Sequence, residues 1–162
     1  MKKLIASLSF LFIWNCANAQ DPVDYVDPFI GTTNFGTCNP GAVCPNGLMS
    51  VVPFNVMGSD ENTYDKDARW WSTPYENTNS YFTGLSHVNL SGVGCPEMGS
   101  LLLMPTTGEL NVDYHHYGSK YEKETASPGY YSLQLTKYNI KVEATSTSVS
   151  YTHLRAHETL MN

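Results

Sequence analysis

This 162-residue chain is poor in charge, poor in cysteine and free of long apolar runs. Only 9 Lys and Arg stand against 15 Asp and Glu, and the basic residues form no stripe. An acidic balance without a basic face excludes nucleic acid and anionic membrane surfaces as natural partners. Four cysteines are present, with no C-x-x-C pair and no zinc-finger spacing. The one sustained apolar stretch, Leu4 to Trp14, is too short to cross a bilayer as a permanent helix. No internal repeat is visible, and helical periodicity is poor beyond that stretch.

What is present begins with a leader. Lys2 and Lys3 form a basic start, Leu4 to Trp14 the apolar segment, and Ala17-Asn18-Ala19 a small-residue cleavage site. Residues 1–19 therefore read as a signal peptide, with Gln20 as the new start and a periplasmic or extracellular destination. Cys16 offers lipoprotein anchoring as an alternative, which Trp14 and Asn15 disfavour. Removal of the leader takes two basic residues with it and leaves 7 against 15, a net charge of −8 over 143 residues. That length suits one domain with a real core, and that charge suits a neutral substrate. Cys38, Cys44 and Cys95 remain. Cys38 and Cys44 are close enough to be bridged across a loop, and free buried thiols are equally compatible with the sequence.

The secondary-structure signals are strand signals. Gly47 to Phe54 and Ser100 to Met104 are short apolar runs, each meeting a proline. Thr106-Thr107-Gly108 turns the chain into Glu109 to Tyr114. Tyr131, Leu133 and Leu135 alternate with polar residues, and Ile140, Val142 and Ala144 do so after a break at 137–139. Period two with one apolar face is the mark of a half-buried antiparallel strand. The expected fold is all-β, a two-layer antiparallel β-sandwich with long loops. A polar stretch from Gly58 to Asn79, rich in acids, Asn and aromatics, is long for a loop. Alternation fades near Ser148, and the terminal YTHLRAHETLMN resembles an adapter-derived translation. The expected division is leader 1–19, an incomplete sandwich domain 20–148 and a non-native tail 149–162.

Two blocks are dense in Gly, Pro, Asn and small polar residues: Asp27 to Asn55 and Thr83 to Pro105. Shaped loops of this kind on a β scaffold are where binding residues sit. In the second block His87, Asn89 and Ser91 alternate, so an extended chain points them one way, and Gly92 and Gly94 permit a sharp turn or close approach. They suit hydroxyl recognition, or else a hydrogen-bonded turn. Trp70 and Trp71 suit stacking on sugar C–H faces, or a ring plugging the core beneath their loop. A glycosidase needs two carboxylates flanking the scissile bond, and no spacing among the acids identifies a pair. Asp60, Glu61, Asp65 and Asp67 do not match an EF-hand. His115 and His116 are adjacent and, on a strand, face apart. His153 and His157 lie in the tail.

The segments VDPFIGT (Val26 to Thr32), NPGA (Asn39 to Ala42) and GLSHVNLSG-G (Gly84 to Gly94) resemble the N-terminal domain of glycoside hydrolase family 92, the calcium-dependent exo-α-mannosidases. The likeness runs from Tyr25 to Ser148. Where family members carry histidines in the first loop, this chain has Phe35 and Thr37. His87 matches the first histidine of the later run, Asn89 replaces the second, and CPNG stands where VPFG is usual. These departures put the sugar linkage in question rather than the kinship.

The resemblance implies a two-domain enzyme, a β-sandwich packed on a C-terminal (α/α)6 barrel that is missing here. It implies an inverting removal of terminal α-mannose at the domain interface, assisted by calcium. The acid, the base and the calcium ligands belong to the downstream domain and have no matching positions in this chain. No catalytic or metal residue is therefore expected here. Asn34, Phe35, Asn39, Trp70, Trp71, His87 and Asn89 are the candidate contacts to a mannose-containing glycan. A free-standing carbohydrate-binding module and a structural surface domain are the alternatives.

Overall fold

The computed structural model describes residues 21–33, 36–44, 46, 48–57, 73–89, 91–92 and 98–157. Among the described residues nine strands form, in chain order: β1 Ala42–Val43, β2 Ser50–Phe54, β3 Tyr81–Phe82, β4 Gly84–Asn89, β5 Met98–Leu103, β6 Ser119–Ser127, β7 Tyr130–Leu135, β8 Ile140–Ser146 and β9 Tyr151–His157. A 3₁₀ turn at Pro22–Tyr25 precedes them, and one helical turn, α1 (Tyr114–Tyr117), lies between β5 and β6. The strands make two antiparallel sheets, ordered β1-β2-β4-β5 and β3-β6-β7-β8-β9.

The strands with the clearest alternation carry the core. Along β8, Ile140, Val142, Ala144 and Ser146 point inward while Lys141 and Thr145 face water. Register pairs Leu133 with Val142 and Leu135 with Ile140, so these side chains share one face with Tyr131 and Ala144. Ala42, Val51, Phe82 and Leu85 complete the cluster. The layers meet where β1 and β2 lie on β7 and β8, the two-sheet arrangement that half-apolar strands require.

Turn chemistry sets the hairpins. Pro128 and Gly129 join β6 to β7, and Gly129 has φ +75°. Pro then Gly at the centre of a tight turn suits the type II geometry, which needs positive φ at the second position. The β7–β8 connection closes on Asn139 at φ +50°, a residue that tolerates the left-handed region.

Glu109 to Tyr114 forms no strand. Asp113 Oδ1 accepts the His115 N–H (3.0 Å) and caps α1, while Asn111 Oδ1 accepts the Asp113 N–H (2.8 Å). These local side-chain bonds compete with a strand ladder. His115 and His116 consequently sit side by side on one exposed helical turn rather than on opposite strand faces. At the other end, Thr147 and Ser150 close a turn, and β9 pairs with β8 from Ser146↔Tyr151 to Ile140↔His157.

Candidate functional site

The two loop-bearing blocks come together. β2 and β4 are antiparallel neighbours, with Val51 opposite His87 and Val52 opposite Ser86. The first loop is closed on itself by Gly36 N–H to Thr33 O (2.9 Å) and Cys38 N–H to Gly31 O (3.2 Å). It is tied to the later run by Gly92 N–H donating to Thr37 O at 2.8 Å. Gly41 presses on β2 so closely that an added Cβ would lie 2.3 Å from Val52 Cγ1 and 2.4 Å from Val51 O. Only glycine fits there, which explains the NPGA step in steric terms.

Asn39 sits two residues earlier, and both its Oδ1 and its Nδ2 are buried with no hydrogen-bond partner among the described residues. A buried, unsatisfied amide costs about 1–3 kcal/mol per group, so it calls for an explanation such as a ligand. Cys38 and Cys44 are free thiols, and the Cys38 sulfur packs against Gly31.

His87 and Asn89 do not share a face as simple alternation requires. Val88 has φ +58°, and the register of β4 against β5 slips between His87 and Asn89. A bulge inserts one residue and inverts the direction of those after it. Asn89 Nδ2 therefore donates to Ser86 Oγ (2.8 Å), on the opposite side of the strand from His87. Ser50 Oγ pins the bulge by accepting the Asn89 N–H (3.1 Å). His87 is only 2% exposed, and its Nδ1 meets Leu101 O at 3.0 Å.

A polar hub beneath this region was not evident in sequence. Asn55, fully buried at the end of β2, accepts the Glu76 N–H (2.8 Å) and donates to Glu76 O (2.9 Å) and the Tyr121 hydroxyl (3.1 Å). Asn79 Nδ2 returns a bond to Asn55 O (2.9 Å), so segment 73–79 is fastened to the sheet. Behind it, Glu124 Oε1 accepts from the Tyr131 hydroxyl (2.5 Å) and Oε2 from the Tyr75 hydroxyl (3.0 Å).

Glu124 reaches this position because β6 carries a bulge, with Lys123 at φ +53° and a register slip between Glu122 and Thr125. Tyr121 faces inward before the bulge, and Glu124 and Ala126 do so after it. Burial raises the pKa of Glu124 against the lowering effect of its two tyrosine bonds. Burial also raises Glu76, whose Oε1 accepts from Thr78 (3.3 Å) while Oε2 has no partner among the described residues. Tyr75, Tyr121 and Tyr131 are all raised, chiefly by burial. With both Glu124 oxygens taken by tyrosines, this cluster braces the loops and presents no flanking acid–base pair.

Asn34, Phe35, Trp70, Trp71, Cys95 and the acids at positions 60, 61, 65 and 67 lie outside the described residues. Among the described residues no group of three or more His, Cys, Asp or Glu is placed to hold a metal ion, and they do not fit a calcium site. No described helix is long and apolar enough to cross a membrane.

Fold and loops thus define a two-sheet β-sandwich that supports a shaped loop cluster. The chain belongs to glycosyl hydrolase family 92, matching that family's N-terminal domain over residues 25–153. It is similar to an uncharacterized secreted glycosidase of Arthroderma benhamiae, 31% identical over 139 residues that span 78% of this chain and 16% of that protein.

Among solved structures, a GH92 α-mannosidase of Bacteroides thetaiotaomicron matches with a TM-score of 0.72 and 33% identity, over 85% of this chain and 19% of the enzyme. The same enzyme has been seen in complex with mannoimidazole. A GH92 inverting mannosidase of the same bacterium shares the fold, with a TM-score of 0.61 and 19% identity over 86% of this chain and 19% of that one. The chain therefore spans less than a fifth of each of these relatives.

Proposed function

We propose that this chain is the N-terminal part of an exported α-mannosidase-like glycoside hydrolase, and that its loops shape the sugar pocket without holding the catalytic machinery. The observation that carries the reading is Asn39. Its amide is buried and without a partner among the described residues, in a loop latched to the His87–Gly92 run through Thr37 and Gly92. A sugar hydroxyl both donates and accepts, and so can satisfy both ends of such an amide.

In this reading Asn39 and Asn89, with Asn34, Phe35, Trp70 and Trp71, contact a mannose-containing glycan. His87, being buried, orients the strand through Leu101. The general acid, the base and the calcium ligands belong to the (α/α)6 domain of the longer protein. Calcium bound there would supply a charge that ligates sugar hydroxyls and favours ring distortion. Exposed Leu101, Leu102, Leu103, Leu110 and Val112 form an apolar stretch suited to packing against that domain.

Two measurements test the proposal. The chain incubated with an aryl α-mannoside and calcium is expected to show no turnover above background. Titration with mannose, followed by NMR, is expected to shift amides of residues 37–41 and 86–92, and Asn39→Ala to abolish those shifts. Calcium-dependent turnover by this chain would overturn the division of labour. Shifts unaffected by Asn39→Ala would overturn the assignment of the sugar contact.

A further inference from the structure

We infer that Glu76 belongs to the same sugar site as Asn39 and selects a free ring hydroxyl through its second carboxylate oxygen, Oε2. The inference rests on the reading of the loops as sugar contacts, and it adds to that reading a further residue and a rule of specificity.

Three side chains bury a polar atom that has no partner among the described residues: Asn39, Glu76 and Ser146. Ser146 lies on the core face of β8. Asn39 and Glu76 instead lie on segments bonded to each other. The Asn77 N–H donates to Thr32 O at 2.9 Å, and the Cys38 N–H donates to Gly31 O at 3.2 Å. Asn77 follows Glu76 and Cys38 precedes Asn39, so these two bonds, through the Gly31–Thr32 peptide, tie the two unsatisfied side chains into one loop cluster.

Glu76 is preorganised. Asn55 brackets its backbone, accepting its N–H (2.8 Å) and donating to its carbonyl (2.9 Å). Thr78 Oγ1 donates to Oε1 (3.3 Å), and the Thr78 N–H also favours the ionised carboxyl. Oε2 is left over. Glu124 makes the contrast, because both of its oxygens take a tyrosine hydroxyl and its role is complete within the fold. Glu76 is 0% exposed, yet Asn77 and Thr78 beside it are open to solvent, so its burial is shallow.

An ionised carboxylate only accepts, so the group that completes Oε2 must donate. A neutral sugar hydroxyl does so and forms a charge-assisted bond. An ether, a fluorine or an anionic substituent at the same ring position has no proton to give, and the last is also repelled. Glu76 therefore favours a sugar that is unsubstituted at that position.

The test is an NMR titration of the chain with methyl α-mannoside and with analogues in which fluorine replaces one hydroxyl at a time. Amides at 75–79 are expected to shift together with those at 37–41. One analogue is expected to bind the parent chain about tenfold more weakly than the full sugar, as loss of a charge-assisted contact does. In Glu76→Gln the Thr78 donors hold the amide oxygen at Oε1, so an N–H group takes the place of Oε2. That variant is expected to lose the discrimination against the same analogue. Equal discrimination in both proteins, with shifts persisting at 37–41 and 86–92, would overturn the role of Glu76 and leave the sugar reading standing. Loss of every sugar alike in Glu76→Gln would mark a bracing role and overturn the inference as well. No response of the parent chain to any sugar would overturn both readings.

Discussion

Replacing Tyr131 with Phe isolates the buried contact at the centre of the polar hub. Tyr131 is fully buried, and its hydroxyl donates to Glu124 Oε1. The ring is retained, so no cavity forms and the change removes a single donor. Tyr75 cannot compensate, because its one hydroxyl proton is shared between Glu124 Oε2 and Asn77 Oδ1, both at 3.0 Å.

With Glu124 ionised, loss of a hydrogen bond to a charged group costs about 1.5–3 kcal/mol; with Glu124 protonated, loss of a neutral one costs about 1 kcal/mol. The folded-state pKa of Glu124 is raised by burial. Its favourable contribution is therefore complete below the ordinary glutamate range and is lost as pH rises through the elevated value. The penalty for Tyr131→Phe should accordingly grow with pH. Urea unfolding followed by circular dichroism, across a pH series that starts below the ordinary glutamate range, measures the trend. A loss within about 0.5 kcal/mol of zero at the highest pH, or one that does not change across the series, would refute the reasoning.

Glu124→Gln keeps one acceptor oxygen, puts an amide N–H donor in place of the other and cannot ionise, so the fall in stability with rising pH should become shallower. The slope left over belongs to Glu76, also raised by burial, and thermal melts across the pH series report it. Exposed Asp113 and half-buried Glu143 are lowered by their hydrogen bonds, to His116 and to Tyr130 respectively, so their effect runs the other way. It is lost only as pH falls through their depressed values. Gly41→Ala drives a methyl into Val52 and should destabilise the chain by about 2 kcal/mol or more, read as a lower urea midpoint. Val88→Asn places a residue tolerant of the left-handed region at φ +58° and should raise stability by about 1 kcal/mol; an unchanged or lower midpoint would show that Val88 is not strained.

The sequence by itself determined the strands that end in the core. The alternation at Tyr131, Leu133 and Leu135, and at Ile140, Val142 and Ala144, admits one buried face, because period two leaves no other way to remove those side chains from water. Family membership was equally local, since the resemblance is carried by the short segments VDPFIGT, NPGA and the GLSHVNLSG-G run.

What tertiary structure decided is where alternation breaks. Nothing in SHVNLSG announces the slip at Val88 that parts Asn89 from His87, and nothing in SKYEKETAS announces the slip at Lys123 that turns Glu124 inward. A bulge depends on the partner strand's register and on what must pack beneath it, and both are set by residues far away in sequence. The same holds for Asn55. It reads as an ordinary turn residue after VVPF, yet it is the fully buried bracket for segment 73–79, because its amide meets backbone groups that only the closed sandwich brings within reach.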